Sequence, residues 1–271
     1  MSTPTAEENR PFGLLRAGFP FLKTIGMRRI TNYPYDVAIE NDDRIYILLR
    51  STNVAIIRVW FFEDAERLPD TFEDIGGYGK EDGKFISPVC VVLDPEGNIV
   101  VSDESLNRIS FFSRDGEFLK TWGISGSNPG ELDGPSGIAF NNMGNLLVSD
   151  AKNHRIQEFD SEGKVLNYWG NHGDGPGELN KPWGIDVDDS GDVFVSDWGN
   201  DRISKFGQDG EFIFSFGSSG DGKGMLDGPS GITVDKYGDV FVADTGNDRV
   251  QLFNKEGRYV QEFVGDATLA R

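Results

Sequence analysis

Four prolines, Pro88, Pro135, Pro182 and Pro229, stand 47 residues apart, and from each the chain repeats the same text. Residues 182–217 read PWGIDVDDSGDVFVSDWGNDRISKFGQDGEFIFSFG, and residues 229–265 read PSGITVDKYGDVFVADTGNDRVQLFNKEGRYVQEFVG. Self-similarity at a period of roughly 20–50 residues marks a solenoid or propeller, because one such unit cannot bury its apolar faces alone. The 271 residues are therefore expected to form a single repeat domain over 19–271, with units starting near 34, 88, 135, 182 and 229. Residues 1–18 read as a polar, disordered lead-in.

Within each unit four short apolar runs alternate with turn signals, the pattern of antiparallel strands. In the third unit the runs are Gly137–Phe140, Leu146–Ser149, Arg155–Phe159 and Val165–Trp169. The third connection carries a glycine at the same place in every good unit, at Gly116, Gly163, Gly210 and Gly257. A left-handed hairpin position requires that. The second strand is apolar on both faces, as a sheet stacked on either side demands. Four-stranded antiparallel sheets packed radially are the blades of an all-β propeller. Leu132, Leu179 and Leu226, in the glycine-rich spacers between units, are expected to plug the seams between blades. The unit from Pro34 is degenerate: extra residues enter around Asn53–Ile57 and Ala65–Pro69, and Leu49 replaces the aspartate of the other units.

Bulk composition narrows the function classes. A formal charge of −19 lacks the basic footprint that phosphate backbones need, so nucleic acid is an unfavoured partner. Many aspartates occupy turn positions, where they bond their own backbone. No apolar run is long enough to span a bilayer. The start, MSTPTAEENRP, lacks the basic and apolar regions of a secretory signal, so the default compartment is cytoplasmic. A secreted chain whose signal had been removed would read the same way. The single cysteine, Cys90, sits in VCVV and reads as a buried apolar side chain.

The elements P-x-G-I-x-V-D, V-x-D-x-x-N-x-R-I and G-x-F-x-x-x-F-G, in that order, resemble the NHL repeat, closely over 88–265 and faintly over 21–87. The resemblance implies an NHL-type β-propeller in which the recurring Asp and Arg are structural. Here they are Asp103/Arg108, Asp150/Arg155, Asp197/Arg202 and Asp244/Arg249. The Asp ends the second strand and the Arg opens the third, so an ion pair across the loop is expected. The family commonly closes with six blades, and residues 21–26 (FLKTIG) match the fourth strand FLKTWG at 118–123. Five recognisable units plus one outer strand of an incomplete sixth blade follow. Three accounts stay open: further sequence completes that blade, another chain supplies it, or five blades close with 21–26 as an added strand.

Residues that depart from the repeat are the functional candidates. Strand direction puts the spacers and the second-to-third strand loops on one face of the disc. On that face lie Trp183, Trp198, His154, His172, Asp201 and Asp248. Asp186, where other units have Ala139 and Thr233, is expected to face the central channel and is a candidate calcium ligand. No cofactor is otherwise expected. NHL relatives include amidating lyases that hold zinc with several histidines. This chain has two histidines, and no G-x-S-x-G or H-E-x-x-H is legible. The expectation is a non-catalytic scaffold that binds a protein partner or small ligand through this face. A metal-assisted lyase or hydrolase at the channel is the alternative, and RNA binding comes third.

Overall fold

The computed structural model describes residues 33–40, 44–61 and 73–264. The lead-in, the outer-strand candidate at 21–26, the insertion point at Ala65–Pro69 and residues 265–271 lie outside them. Five antiparallel sheets follow one another, each with its four strands in chain order. Blade one comprises Pro34–Glu40, Arg44–Ser51, Val54–Phe61 and Glu73–Gly76. Blade two comprises Pro88–Leu93, Ile99–Asp103, Arg108–Phe112 and Phe118–Trp122. Blade three comprises Pro135–Phe140, Leu146–Asp150, Arg155–Phe159 and Val165–Trp169. Blade four comprises Pro182–Val187, Val193–Asp197, Arg202–Phe206 and Phe212–Phe216. Blade five comprises Pro229–Val234, Val240–Asp244, Arg249–Phe253 and Tyr259–Val264. The strands expected in the third unit coincide with blade three to within two residues.

The core is a series of seams rather than one centre. Val100 and Ile109 of blade two pack with Ile138, Val148 and Phe159 of blade three, and Leu132 sits in the same cluster. Leu179 does the same between blades three and four, and Leu226 between four and five. All three leucines are fully buried, as is Phe85 at the seam between blades one and two. Each seam thus holds two half-cores and a plug, which is why a single 47-residue unit cannot stand alone.

Two backbone devices set the spacing. The turn between the first and second strands closes on an acidic or amide side chain: Asp188 Oδ1 accepts the N–H groups of Ser190 and Asp192, and Asp94, Asn141 and Asp235 repeat this. Part of the acidity of the chain is therefore turn chemistry. At the second residue after the repeat proline, glycine lets the first strand of the next blade lie against the backbone. A Cβ on Gly137 would overlap the carbonyl of Trp183, and one on Gly184 would overlap that of Ser230.

Blade one departs where its sequence does. Its second and third strands are longer than elsewhere and join in a tight turn, with Ser51 pairing with Val54. The extra length expected near Asn53–Ile57 is absorbed as strand, not as a loop. Among the described residues no helix is long and apolar enough to cross a membrane.

Candidate binding site at the channel mouth

The Asp and Arg of each unit fasten the spacer that precedes it. Arg155 Nε donates to Asp150 Oδ2 at 2.8 Å, Arg202 to Asp197 at 2.8 Å and Arg249 to Asp244 at 2.7 Å. Each aspartate also accepts a spacer N–H: Asp150 from Asp133, Asp197 from Asn180 and Asp244 from Asp227. The guanidinium ends bind spacer carbonyls, as Arg202 does with Gly175 and Glu178. Asn153, Asn200 and Asn247 complete the knot by bridging the same aspartate to a spacer carbonyl 27 residues earlier.

Blade two corrects the expectation of a uniform ion pair. Arg108 reaches the carbonyls of Lys80, Glu81 and Lys84, but its Nε has no partner and it does not meet Asp103. Leu106 stands where the other loops have asparagine, and that loop folds as a plain turn. Its N–H groups, on Ser105 and Leu106, take Asp103 Oδ1 at 3.0 Å each.

Three of the candidate face residues share one repeat position. His154, Asp201 and Asp248 occupy the place of Asn107, and all four have left-handed backbones with φ between 51° and 57°. Asn, Asp and His are the non-glycine residues best suited to that conformation. The side chains couple adjacent blades. Asn107 accepts the N–H of Gly134 at 2.8 Å, His154 Nδ1 that of Lys181 at 3.1 Å and Asp201 that of Gly228 at 2.9 Å. His172, in the next spacer, packs on His154 with ring centroids 4.3 Å apart. Burial, then His172 and Lys181, pull the His154 imidazole below its ordinary range, against an opposing effect of Asp197.

The mouth of the channel is a cavity of ≈ 400 Å³. Two repeat positions supply its wall: the residue after the repeat proline and the residue after the second strand. In blade four both are tryptophan, Trp183 and Trp198. In blade five they are Ser230 and Thr245, whose hydroxyls lie 2.5 Å apart. In blade one they are Tyr35, which lines the cavity, and Arg50, whose guanidinium lies 4.8 Å from that ring centroid and is paired to Glu104. Trp183 is half-buried and its carbonyl accepts Ser136 Oγ at 3.1 Å; Trp198 is 41% exposed. Lys181 Nζ lies 5.5 Å from the Trp198 ring centroid.

The lining also holds a carboxyl, Asp36, and a thiol, Cys90, while a second carboxyl, Asp186, stands on the innermost strand of blade four. Asp36, where blades three to five have glycine, accepts the N–H of Val91 on the neighbouring inner strand at 2.8 Å. Asp186 accepts Val187 N–H and, across to blade five, Val234 N–H, each at 2.8 Å. It staples two inner strands together. Burial pushes both carboxyls up, and it pushes the Cys90 thiol well above its ordinary value, with Asp36 adding to that rise. Among the described residues no three His, Cys, Asp or Glu groups converge on one point.

The departures from the repeat thus gather in one sector. His172, His154, Lys181, Trp198 and Trp183 form a connected run from the blade three–four seam to the cavity. Lys181 and Asp36 were not singled out from the sequence. Lys181 could have been found by noting that it replaces Gly134 and Gly228; Asp36 was hidden in the degenerate unit.

Residues 132–159, 179–206 and 226–253 each match the NHL repeat family model. Every match runs from a plug leucine through the third strand of its blade. This is an NHL-repeat β-propeller. No curated protein matches the sequence of this propeller at a significant level. Similar solved structures include a streptogramin B lyase, 14% identical, covering 89% of this chain and 71% of that one, with a TM-score of 0.63. A catalytically inactive virginiamycin B lyase from Staphylococcus aureus with quinupristin is 15% identical, over 90% and 73% of the two chains, with a TM-score of 0.63. A chain of a nidogen–laminin complex is 18% identical, over 86% and 80%, with a TM-score of 0.64. At these identities the likeness carries the fold alone.

Proposed function

We propose that this NHL propeller is a non-catalytic binding scaffold. It takes a small ligand, or one side chain of a protein partner, at the channel mouth between Trp183 and Trp198. The observation that carries this reading is the convergence of repeat-breaking residues on one cavity wall, while the recurrent Asp, Arg and Asn groups are consumed in holding the spacers. Tryptophans in a concave, mostly apolar site supply large contact area at little conformational cost. The similar structures include both a ligand-bound lyase variant and a chain of a protein–protein complex, so propellers of this shape serve either occupant.

One observation favours the alternative, a metal-assisted lyase or hydrolase: the packed pair His154 and His172. It offers two imidazoles, whereas a catalytic zinc ordinarily takes about three protein ligands. A screen of aromatic and aliphatic fragments by ligand-observed NMR tests the binding reading. Hits lost together in a Trp183→Ala/Trp198→Ala variant that still melts cooperatively support it. Hits retained in that variant contradict it, and stoichiometric zinc in the purified protein would favour the lyase.

A further inference from the structure

Lys181 holds a left-handed backbone, φ 53°, at the position where blades three and five have Gly134 (φ 65°) and Gly228 (φ 55°). A residue with a β-carbon is strained there. Nothing in the backbone calls for the side chain, since the N–H of Lys181 goes to His154 just as those of Gly134 and Gly228 go to Asn107 and Asp201. What distinguishes Lys181 from those glycines is its ammonium. That ammonium lies over the Trp198 ring and makes no ion pair among the described residues. Arg50, the cation beside Tyr35 of the lining, is instead paired with Glu104. Among the described residues, Lys181 therefore sets an ammonium without an ion pair beside the aromatic wall of the cavity.

We propose that the mouth selects an organic carboxylate with an apolar or aromatic body, Lys181 binding the carboxylate while Trp183 and Trp198 take the body. The proposal rests on the reading of the mouth as the binding site. Charge-assisted hydrogen bonds from an ammonium to a carboxylate are about twice as strong as neutral ones. A whole acidic surface would be repelled by a chain of charge −19, which leaves a single carboxylate, either a peptide C-terminus or a free acid. The Asp36 carboxyl of the lining is engaged by the Val91 N–H on the neighbouring inner strand.

The test follows indole fluorescence while titrating N-acetylphenylalanine, its amide, and the tripeptide Ala-Ala-Phe with a free or an amidated C-terminus. Each acid should bind the wild-type protein about tenfold more tightly than its amide. Lys181→Gly, which restores the residue of the neighbouring blades, should melt no lower than wild type and abolish that preference; Lys181→Arg should keep it. Preference confined to the tripeptide identifies a C-terminus, and preference confined to the amino acid identifies a free acid; both support the proposal. Acid and amide binding equally, with both lost in Trp183→Ala/Trp198→Ala, would overturn carboxylate selection and leave the mouth as the site. Absence of binding by every probe would overturn it as well.

Discussion

His154 Nδ1, at the end of a loop on blade three, accepts the backbone N–H of Lys181, the residue that leads into blade four, at 3.1 Å. The bond requires an unprotonated Nδ1. It joins the seam of two blades to the residue whose ammonium lies over Trp198, so a scaffold contact and the candidate site share one residue.

That contact gives the stability of the propeller a pH dependence. His154 titrates below the ordinary imidazole value of 6.5 in the folded chain, owing to burial and then to His172 and Lys181, with Asp197 opposing. Above 6.5 both states are neutral and the full contribution is present. Below it the unfolded chain takes up a proton that the folded chain refuses, so stability falls until the lower folded value is passed. His154→Asn, which copies Asn107, should keep the bond and remove this loss. Melting temperatures at about pH 7.5 and about pH 5 check it: the variant should gain on wild type as pH falls, and a constant difference would be contrary.

The Asp–Arg knots should differ in worth from blade to blade. Arg202→Ala leaves the fully buried Asp197 without its ion-pair partner and should cost about 3–5 kcal/mol. Arg108→Ala breaks no pair with Asp103 and should cost less. Urea denaturation of the two variants ranks them, and an equal or reversed order would count against the geometry of blade two.

Close approach of inner strands makes glycine obligatory at some blades and not at others. Gly184→Ala would drive a methyl group into the Ser230 carbonyl and should destabilise by about 1–3 kcal/mol or more. Gly231→Ala meets only Ala243 Cβ, at 3.7 Å, and should be close to neutral. Denaturation midpoints of the pair decide this.

Most of the scaffold is legible in the sequence because repetition averages out ambiguity. A plug such as Leu179 or a turn glycine such as Gly163 is convincing when it recurs at 47-residue intervals, even though each is weak alone. The same logic exposes Trp183 and Trp198, which break a pattern. It misleads at His154 and Asp201, whose identities differ from Asn107 while their left-handed coupling task is the same. Local text cannot show that different side chains perform one task 27 residues away. Asp36 was illegible for another reason: the lengthened strands of blade one blur its alignment, and only the packing of blade one on blade two brings it beside Cys90 in the lining of the cavity. The closing strand at 21–26 lies outside the described residues.

The central claim, that the mouth walled by Trp183 and Trp198 is where this propeller binds, is tested most directly by its five tryptophans. Their indole N–H signals can be assigned by single substitution and followed during titration with N-acetylphenylalanine and with any fragment hits. The account predicts that the Trp183 and Trp198 signals move with a common saturation curve, while Trp60, Trp122 and Trp169, set among the blades, stay in place. Movement of the latter three with the mouth pair unmoved would contradict it.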